Sequence, residues 1–462
     1  DQPDTSTTRF GNAINGIGDA PGVWNLFDPT ANSQTLIDYI STAQSTKYDT
    51  KLSVLDIVLT GSVNDVEIAT GFQFRKEEYD VARNEDSIAT FDESGALLSF
   101  ADLIFLGGGI ESASDRSAYA VFVEAAKQAT DRLELRGALR AENLDTDSTI
   151  NPKISMRFEA NDNLVLRGSV STSFREASLS QLNNSQVGLQ GIQDFDSSGN
   201  PVGQASFIRV AQALSKDLKP EESTNLNFGA VWTPSDNLSV KLDYWSIDYE
   251  DVITIESAQG KVIANPTGPD ILRLTDGTLI GVTSKYKNAS EVNTDGYDID
   301  ASYRIDSSIG LINLGINRAH MLSYEIPATG GGMKDVLGLF NHDNFARSLP
   351  ETKTVISASL INGAHTVGAF YRMISDYETT NVPNAMGVGL GLGQEIDEFN
   401  VLDLKYSYTF DMDDSSIRFS LGVKNATDEE APAFYDTSNF SYDTRQHDPR
   451  GRMVFIGLKY SR

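Results

Sequence analysis

Few residues in this chain are placed to do chemistry, and their spacing points away from catalysis. The four histidines, His320, His342, His365 and His447, are scattered, with no second histidine or carboxylate at ligand spacing, so they read as ordinary polar positions and not a zinc site. The run Gly387-Val388-Gly389-Leu390-Gly391-Leu392-Gly393 resembles a phosphate loop, yet no Lys-Ser/Thr follows it and no strand-to-helix context surrounds it. It reads as a flexible surface loop. Phe91-Asp92-Glu93-Ser94-Gly95 and Phe195-Asp196-Ser197-Ser198-Gly199 repeat one pattern, a tight turn at a hairpin tip inside each of two long loops. Asp194, Asp196 and Asn200 offer oxygens to calcium, as does Asp145-Thr146-Asp147, but the EF-hand spacing and its distal Glu are missing. No motif assembles a Ser-His-acid triad. The absence of cysteine removes disulfides, thiolate metal sites and Cys nucleophiles together. These residues call for no enzyme, no metal and no cofactor.

Composition narrows the partners. A net charge of −28 over 462 residues offers no basic stripe to neutralise phosphates, which excludes nucleic acid. No run of 18 apolar residues exists, so no helix crosses a membrane; alternating barrel strands would not show in such a test. The chain starts Asp1-Gln2-Pro3-Asp4 without a basic or apolar leader, so a secreted protein would be present here in mature or truncated form.

The elements that must position everything else are strands. From Asn151 to Glu176, Ile154, Met156 and Phe158 alternate with Ser155, Arg157 and Glu159. The polar turn Ala160-Asn161-Asp162-Asn163 follows, and then Leu164, Leu166, Val170 and Phe174 alternate with Arg167, Ser169, Ser171 and Arg175. This is a hairpin with one apolar and one polar face, each arm about long enough to cross a bilayer as a tilted strand. The same code predicts about fifteen strands, at 48–63, 66–83, 116–129, 131–144, 152–160, 163–176, 221–234, 237–251, 284–305, 308–327, 352–362, 364–379, 397–410, 414–427 and 450–462. Short turns such as Val63-Asn64-Asp65, Asp306-Ser307-Ser308 and Asn362-Gly363 alternate with long loops at about 84–115, 177–220, 252–283, 328–351, 380–396 and 428–449, with a shorter one at 145–151. Short turns at one end and long loops at the other fit an outer-membrane barrel; a sandwich mixes its loop lengths and a propeller repeats blade motifs. Residues 1–47 read as a loop anchored by Trp24, Leu26 and Phe27.

The two faces agree. Leu226, Phe228, Ala230 and Trp232, or Leu402, Leu404, Tyr406 and Tyr408, face outward, with Trp232, Tyr408 and Phe410 in an aromatic girdle near the short turns. Arg136, Arg140, Arg157, Arg167, Lys241, Asp243, Asp298, Asp300, Arg304, Asp403, Lys405, Arg418 and Lys424 face inward.

Several segments carry a family resemblance, in order and at these intervals: Phe105-Leu106-Gly107-Gly108-Gly109 before Asp115-Arg116-Ser117-Ala118-Tyr119; Asn151-Pro152-Lys153; Ser173-Phe174-Arg175-Glu176; Leu218-Lys219-Pro220-Glu221; Thr294-Asp295-Gly296-Tyr297; Gly422-Val423-Lys424-Asn425-Ala426; and Asp448-Pro449-Arg450-Gly451-Arg452. The chain resembles the C-terminal part of a TonB-dependent outer-membrane receptor over nearly its whole length. The resemblance implies an all-β, 22-stranded transmembrane antiparallel barrel closed by an N-terminal plug. It also implies import of a scarce large solute (a siderophore, haem, cobalamin, oligosaccharide or peptide), driven through the TonB-ExbB-ExbD complex and set among outer-membrane lipids.

On that pattern residues 1–47 are an extracellular loop between the seventh and eighth strands, and 48–462 are the C-terminal part of the barrel. The chain is then a piece of a longer receptor, with the plug and TonB segment absent and an ending, Tyr460-Ser461-Arg462, that departs from the usual terminal aromatic. Ligand contacts in the family come from loops, so the candidates are Trp24, Phe27, Phe340, Tyr377, Phe434 and Tyr435, with inward Arg175 and Arg372 for an anionic ligand. A passive porin or structural barrel without a plug is the alternative, and a secreted soluble β-rich adhesin a third.

Overall fold

A computed structural model describes the chain except for residues 93–96, 145–146, 329–330, 342–345, 384 and 436–440. Its frame is one antiparallel sheet in which fifteen strands hydrogen-bond in chain order. They are β1 (Thr46–Val63), β2 (Val66–Arg83), β3 (Ser112–Thr130), β4 (Leu133–Asn143), β5 (Ser148–Asn161), β6 (Leu164–Arg175), β7 (Glu221–Ser235) and β8 (Leu238–Ile255). They continue as β9 (Tyr286–Ser307), β10 (Gly310–Pro327), β11 (Thr352–Asn362), β12 (His365–Ile374), β13 (Phe399–Met412), β14 (Ser415–Lys424) and β15 (Met453–Ser461). A three-residue strand, Met333–Asp335, adds to the side of β10. The outermost strands, β1 and β15, do not pair with one another.

Local chemistry accounts for the register. The β1–β2 reversal places Asn64 at φ 48° and Asp65 at φ 63°, the double left-handed turn whose twist matches flanking strands and which Asx residues tolerate best. Opposed residues then share a face: Arg167 lies across from Gly229, Leu166 from Ala230, and Leu242 from Ile299. In these strands the residues expected to face outward and those expected to face inward therefore separate onto opposite faces. On the charged face, two glycines make room for facing aromatics. A Cβ at Gly422 would meet the Phe455 ring at 2.1 Å, and one at Gly296 would meet Trp245 at 2.6 Å.

Two expectations need correction. Residues 1–47 are not a plain loop: Gln2–Thr5 pairs with Ser41–Gln44 around helices α1 (Thr7–Asn15) and α2 (Gln34–Ile40). Ser6 and Ser33 cap these helices, their side chains accepting from the Arg9 and Leu36 amides, so these two serines mark helix starts. Of the three anchors, Trp24 packs edge-on against Phe10 at 5.6 Å, whereas Leu26 is 55% and Phe27 100% exposed. The strand expected over 364–379 ends at Ile374; Tyr377–Thr379 leaves the wall for a separate small sheet.

Candidate ligand-facing wall and loop cap

The charged face of the sheet is a ladder of neutralised pairs. The Arg167 guanidinium donates to Asp243, with Nε to Oδ1 at 2.9 Å. Arg372 meets Asp403 at 3.0 Å, Lys241 meets Asp300 at 3.3 Å, and Arg175 meets Glu221 at 2.5 Å. Arg140 joins Glu142 and reaches Gln73 at 2.8 Å. Near the loop end Arg116, only 8% exposed, bridges Glu77 at 2.6 Å and Glu176 at 3.3 Å and donates to the Ala177 carbonyl. That bridge pins the start of the 176–220 loop, just before the short helix α3 (Leu179–Asn183), to the wall.

The long loops fold into a cap. Gln186–Phe195 and Pro201–Gln212 form a hairpin, which pairs in parallel with Leu279–Ser284 and through it with Ile271–Arg273. Helix α4 (Ala258–Ala264) closes a core of Ile192, Ile208, Val210, Val262 and Val282. Arg273 ties the layers by gripping Asp194 with two bonds at 2.6 and 2.8 Å, and its guanidinium holds that carboxyl below the ordinary range. Asp196 accepts from the Ser198 and Asn200 amides, which close the hairpin tip. Both candidate calcium carboxylates thus already accept from groups of the protein, Asp196 from an exposed turn. Among the described residues no three-ligand metal cluster occurs; Asp145, Thr146 and the tip residues Glu93, Ser94 and Gly95 lie outside them.

A second cap unit joins the loops at 328–351, 375–398 and 425–452. Leu339–Phe340 pairs with Tyr377–Thr379, which pairs with Glu395–Ile396. Phe340, Tyr377, Ile396 and Phe434 pack as one buried cluster, Phe340 edge-on to Phe434 at 5.4 Å. The Tyr377 hydroxyl donates to buried Asp443 at 2.7 Å; burial and that bond push the phenol far up. His447, 4% exposed, packs beside Tyr377 and Phe399, and burial pushes its imidazole down. The glycine run is a loop only in its second half: Gly387–Gly389 belong to helix α5 (Ala385–Gly389), with Tyr435 seated so closely that a Cβ at Gly387 would meet its ring at 2.4 Å, and Leu390–Gly393 continue as turn and loop.

The structure therefore brings Phe340, Tyr377 and Phe434 together, but as buried packing. Tyr435 is half-buried on α5, and Trp24 is half-buried on Phe10. Phe27 stands free in solvent, while Arg175 and Arg372 stay partly exposed but paired. Sequence reasoning missed the cap as a folded body. The alternation Val187, Leu189 against Gln186, Gln190 was a signal for its first strand. Of the remaining histidines, His320 shares a hydrogen bond with the Thr352 hydroxyl and His365 one with the Tyr406 hydroxyl, while His342 lies outside the described residues.

A family model described as TonB dependent receptor-like, beta-barrel, matches residues 3–426. The chain belongs to the TonB-dependent receptors. The sheet is accordingly part of a transmembrane barrel, with the apolar face toward lipid, the charged face toward the lumen, short periplasmic turns and the cap outside. Among solved structures, the receptor is similar to the siderophore receptor PirA of Acinetobacter baumannii, with TM-score 0.61 and 15% identity over 96% of this chain and 57% of that one. It is similar to the ferric enterobactin receptor PfeA of Pseudomonas aeruginosa solved with enterobactin, with TM-score 0.61 and 14% identity over 96% and 57%. It is also similar to the copper transporter OprC, with TM-score 0.55 and 15% identity over 90% and 57%. At such identities the likeness is one of fold. The receptor chain spans a little over half the length of these neighbours. No curated protein matches it.

Proposed function

We propose that the whole receptor is an outer-membrane, ligand-gated active importer of a scarce large solute, driven through TonB-ExbB-ExbD. The observation that supports this most is the segregation of the wall: an apolar outer face, an inner face of charged pairs, and folded loops at one end only. A cap with its own cores is a structure for recognising a solute, which a plain diffusion pore does not need. The named ligands of the structural neighbours favour a metal–siderophore chelate or a metal ion over haem, cobalamin, oligosaccharide or peptide. Contacts are best sought at Phe27, Trp24 and Tyr435, whose rings keep exposed area, and at the exposed edges of Arg175 and Arg372. Phe340, Tyr377 and Phe434 would reach a solute only if their cluster opened.

Planar-bilayer conductance of the whole protein tests the reading against a passive porin. A gated importer stays closed at rest, whereas steady open conductance from the intact protein would favour the porin.

A further inference from the structure

Away from the periplasmic turns, the lipid-facing wall carries a cation out of keeping with its surroundings. Arg318 on β10 lies opposite Ile299 of β9 and Thr354 of β11, and the row continues to Leu242 and Met373. Since Leu242 and Ile299 are on the apolar face, Arg318 is on it too. Two residues toward the periplasmic turns the row is Val240, Ala301, Ile316 and Ile356, wholly apolar. Two residues toward the cap it is Tyr244, Tyr297, His320 and Thr352, with the Tyr297 and His320 rings 4.9 Å apart. Arg318 thus sits one step inside the upper aromatic girdle, where the hydrocarbon meets headgroups.

Its partners are missing. The Arg318 Nε is buried without a hydrogen bond, and no carboxylate lies within ion-pair distance among the described residues. The outward carboxylate nearest in register, Asp295, is already held by the Tyr244 and Ser323 hydroxyls. A guanidinium on the lipid face is costly at depth and nearly free at the interface, and a planar fork of donors matches phosphate. The inner-face arginines Arg167, Arg175 and Arg372 all have carboxylate partners, which makes an unpaired one on the apolar face the more specific feature.

We propose that Arg318, with His320 and the Tyr297 ring beside it, forms a clamp for the phosphate of a lipid headgroup in the outward leaflet. Charge complementarity selects this occupant: the guanidinium supplies unspent donors and a positive charge, the surrounding rows supply apolar contact for acyl chains, and phosphate supplies the anion.

The test is native mass spectrometry of the detergent-purified receptor. The probes are dioleoyl phosphatidic acid and dioleoylglycerol, which share their chains and differ by the phosphate. The wild type should retain the phosphatidic acid about fivefold better, the scale of one basic residue at a membrane surface. Arg318→Gln should fall to the neutral-lipid level and Arg318→Lys should lie between. Lys127→Gln, on the same face but near the periplasmic turns, should match the wild type. Equal retention of both lipids by the wild type overturns the proposal without needing any variant, as does undiminished retention by folded Arg318→Gln, with folding read from heat-modifiable gel mobility. A protein contact captured at Arg318 in native membranes would also overturn it. Detergent-free solubility of the receptor would remove the membrane assignment as well; the lipid comparison alone removes only the clamp.

Discussion

Removing the Tyr377 hydroxyl isolates what holds the second cap unit shut. In Tyr377→Phe the ring stays in its cluster with Phe340, Ile396 and Phe434, while Asp443 Oδ2 loses the donor 2.7 Å away. Asp443 is 0% exposed and among the described residues its carboxylate keeps only the Arg445 amide, at 2.8 Å on Oδ1, so water does not readily replace the phenol. A hydrogen bond to a buried charged group contributes about 1.5–3 kcal/mol. That is roughly a ten- to hundredfold rise in the local opening equilibrium. The assay is hydrogen exchange read by mass spectrometry on peptides from the 375–398 and 425–452 loops, with wall strands β11 to β14 as internal reference. Cap units open separately from the barrel when few contacts tie them to it, so loop peptides should exchange faster while wall peptides do not change. Unchanged loop exchange, or acceleration shared equally by the wall, would refute the account of this cluster.

Three further outcomes follow from the same geometry. Burial holds the His447 imidazole below its ordinary value of 6.5, so its contribution to cap stability is complete above that pH and is lost as pH falls through the folded-state value. Loop opening, read as exchange corrected for the intrinsic amide rate, should therefore rise between neutral and mildly acidic pH, and His447→Phe should flatten that dependence. Gly422→Ala puts a methyl carbon where the Phe455 ring stands, 2.1 Å away, and should cost about 1–3 kcal/mol in denaturant unfolding of the barrel, partly recovered by adding Phe455→Leu. Calcium or a chelator should leave exchange in the 186–212 hairpin unaltered, because Asp194 is held by Arg273 and Asp196 by its own turn; a calcium-dependent slowing there would contradict that assignment.

The wall was legible from sequence because its pattern is imposed residue by residue. Alternation of Leu164, Leu166 and Val170 with Arg167, Ser169 and Ser171 states both the strand and its faces, and Asn64-Asp65 states the reversal, so the strands fall within a few residues of where they were expected. The cap was not legible for a physical reason. Its strands pair across loops far apart in the chain, Arg209 with Gly281 and Leu339 with Glu378, and such pairings leave no local period. The aromatics Phe340, Tyr377 and Phe434 look the same in sequence whether they face a solute or one another. Only the long-range pairing that buries them decides. Arg318 and His320 lie in a stretch that alternates like its neighbours, so the face they occupy follows from register and not from residue type.

The most direct measurement of the central claim is solute depletion from complex medium by isogenic cells. One strain lacks this receptor, one lacks TonB, and a third carries both intact. Active import predicts that one solute, too large for general porins, remains outside in both deletion strains and disappears with the intact strain. A solute whose uptake is lost with the receptor but persists without TonB would contradict energised import and make the protein a passive channel.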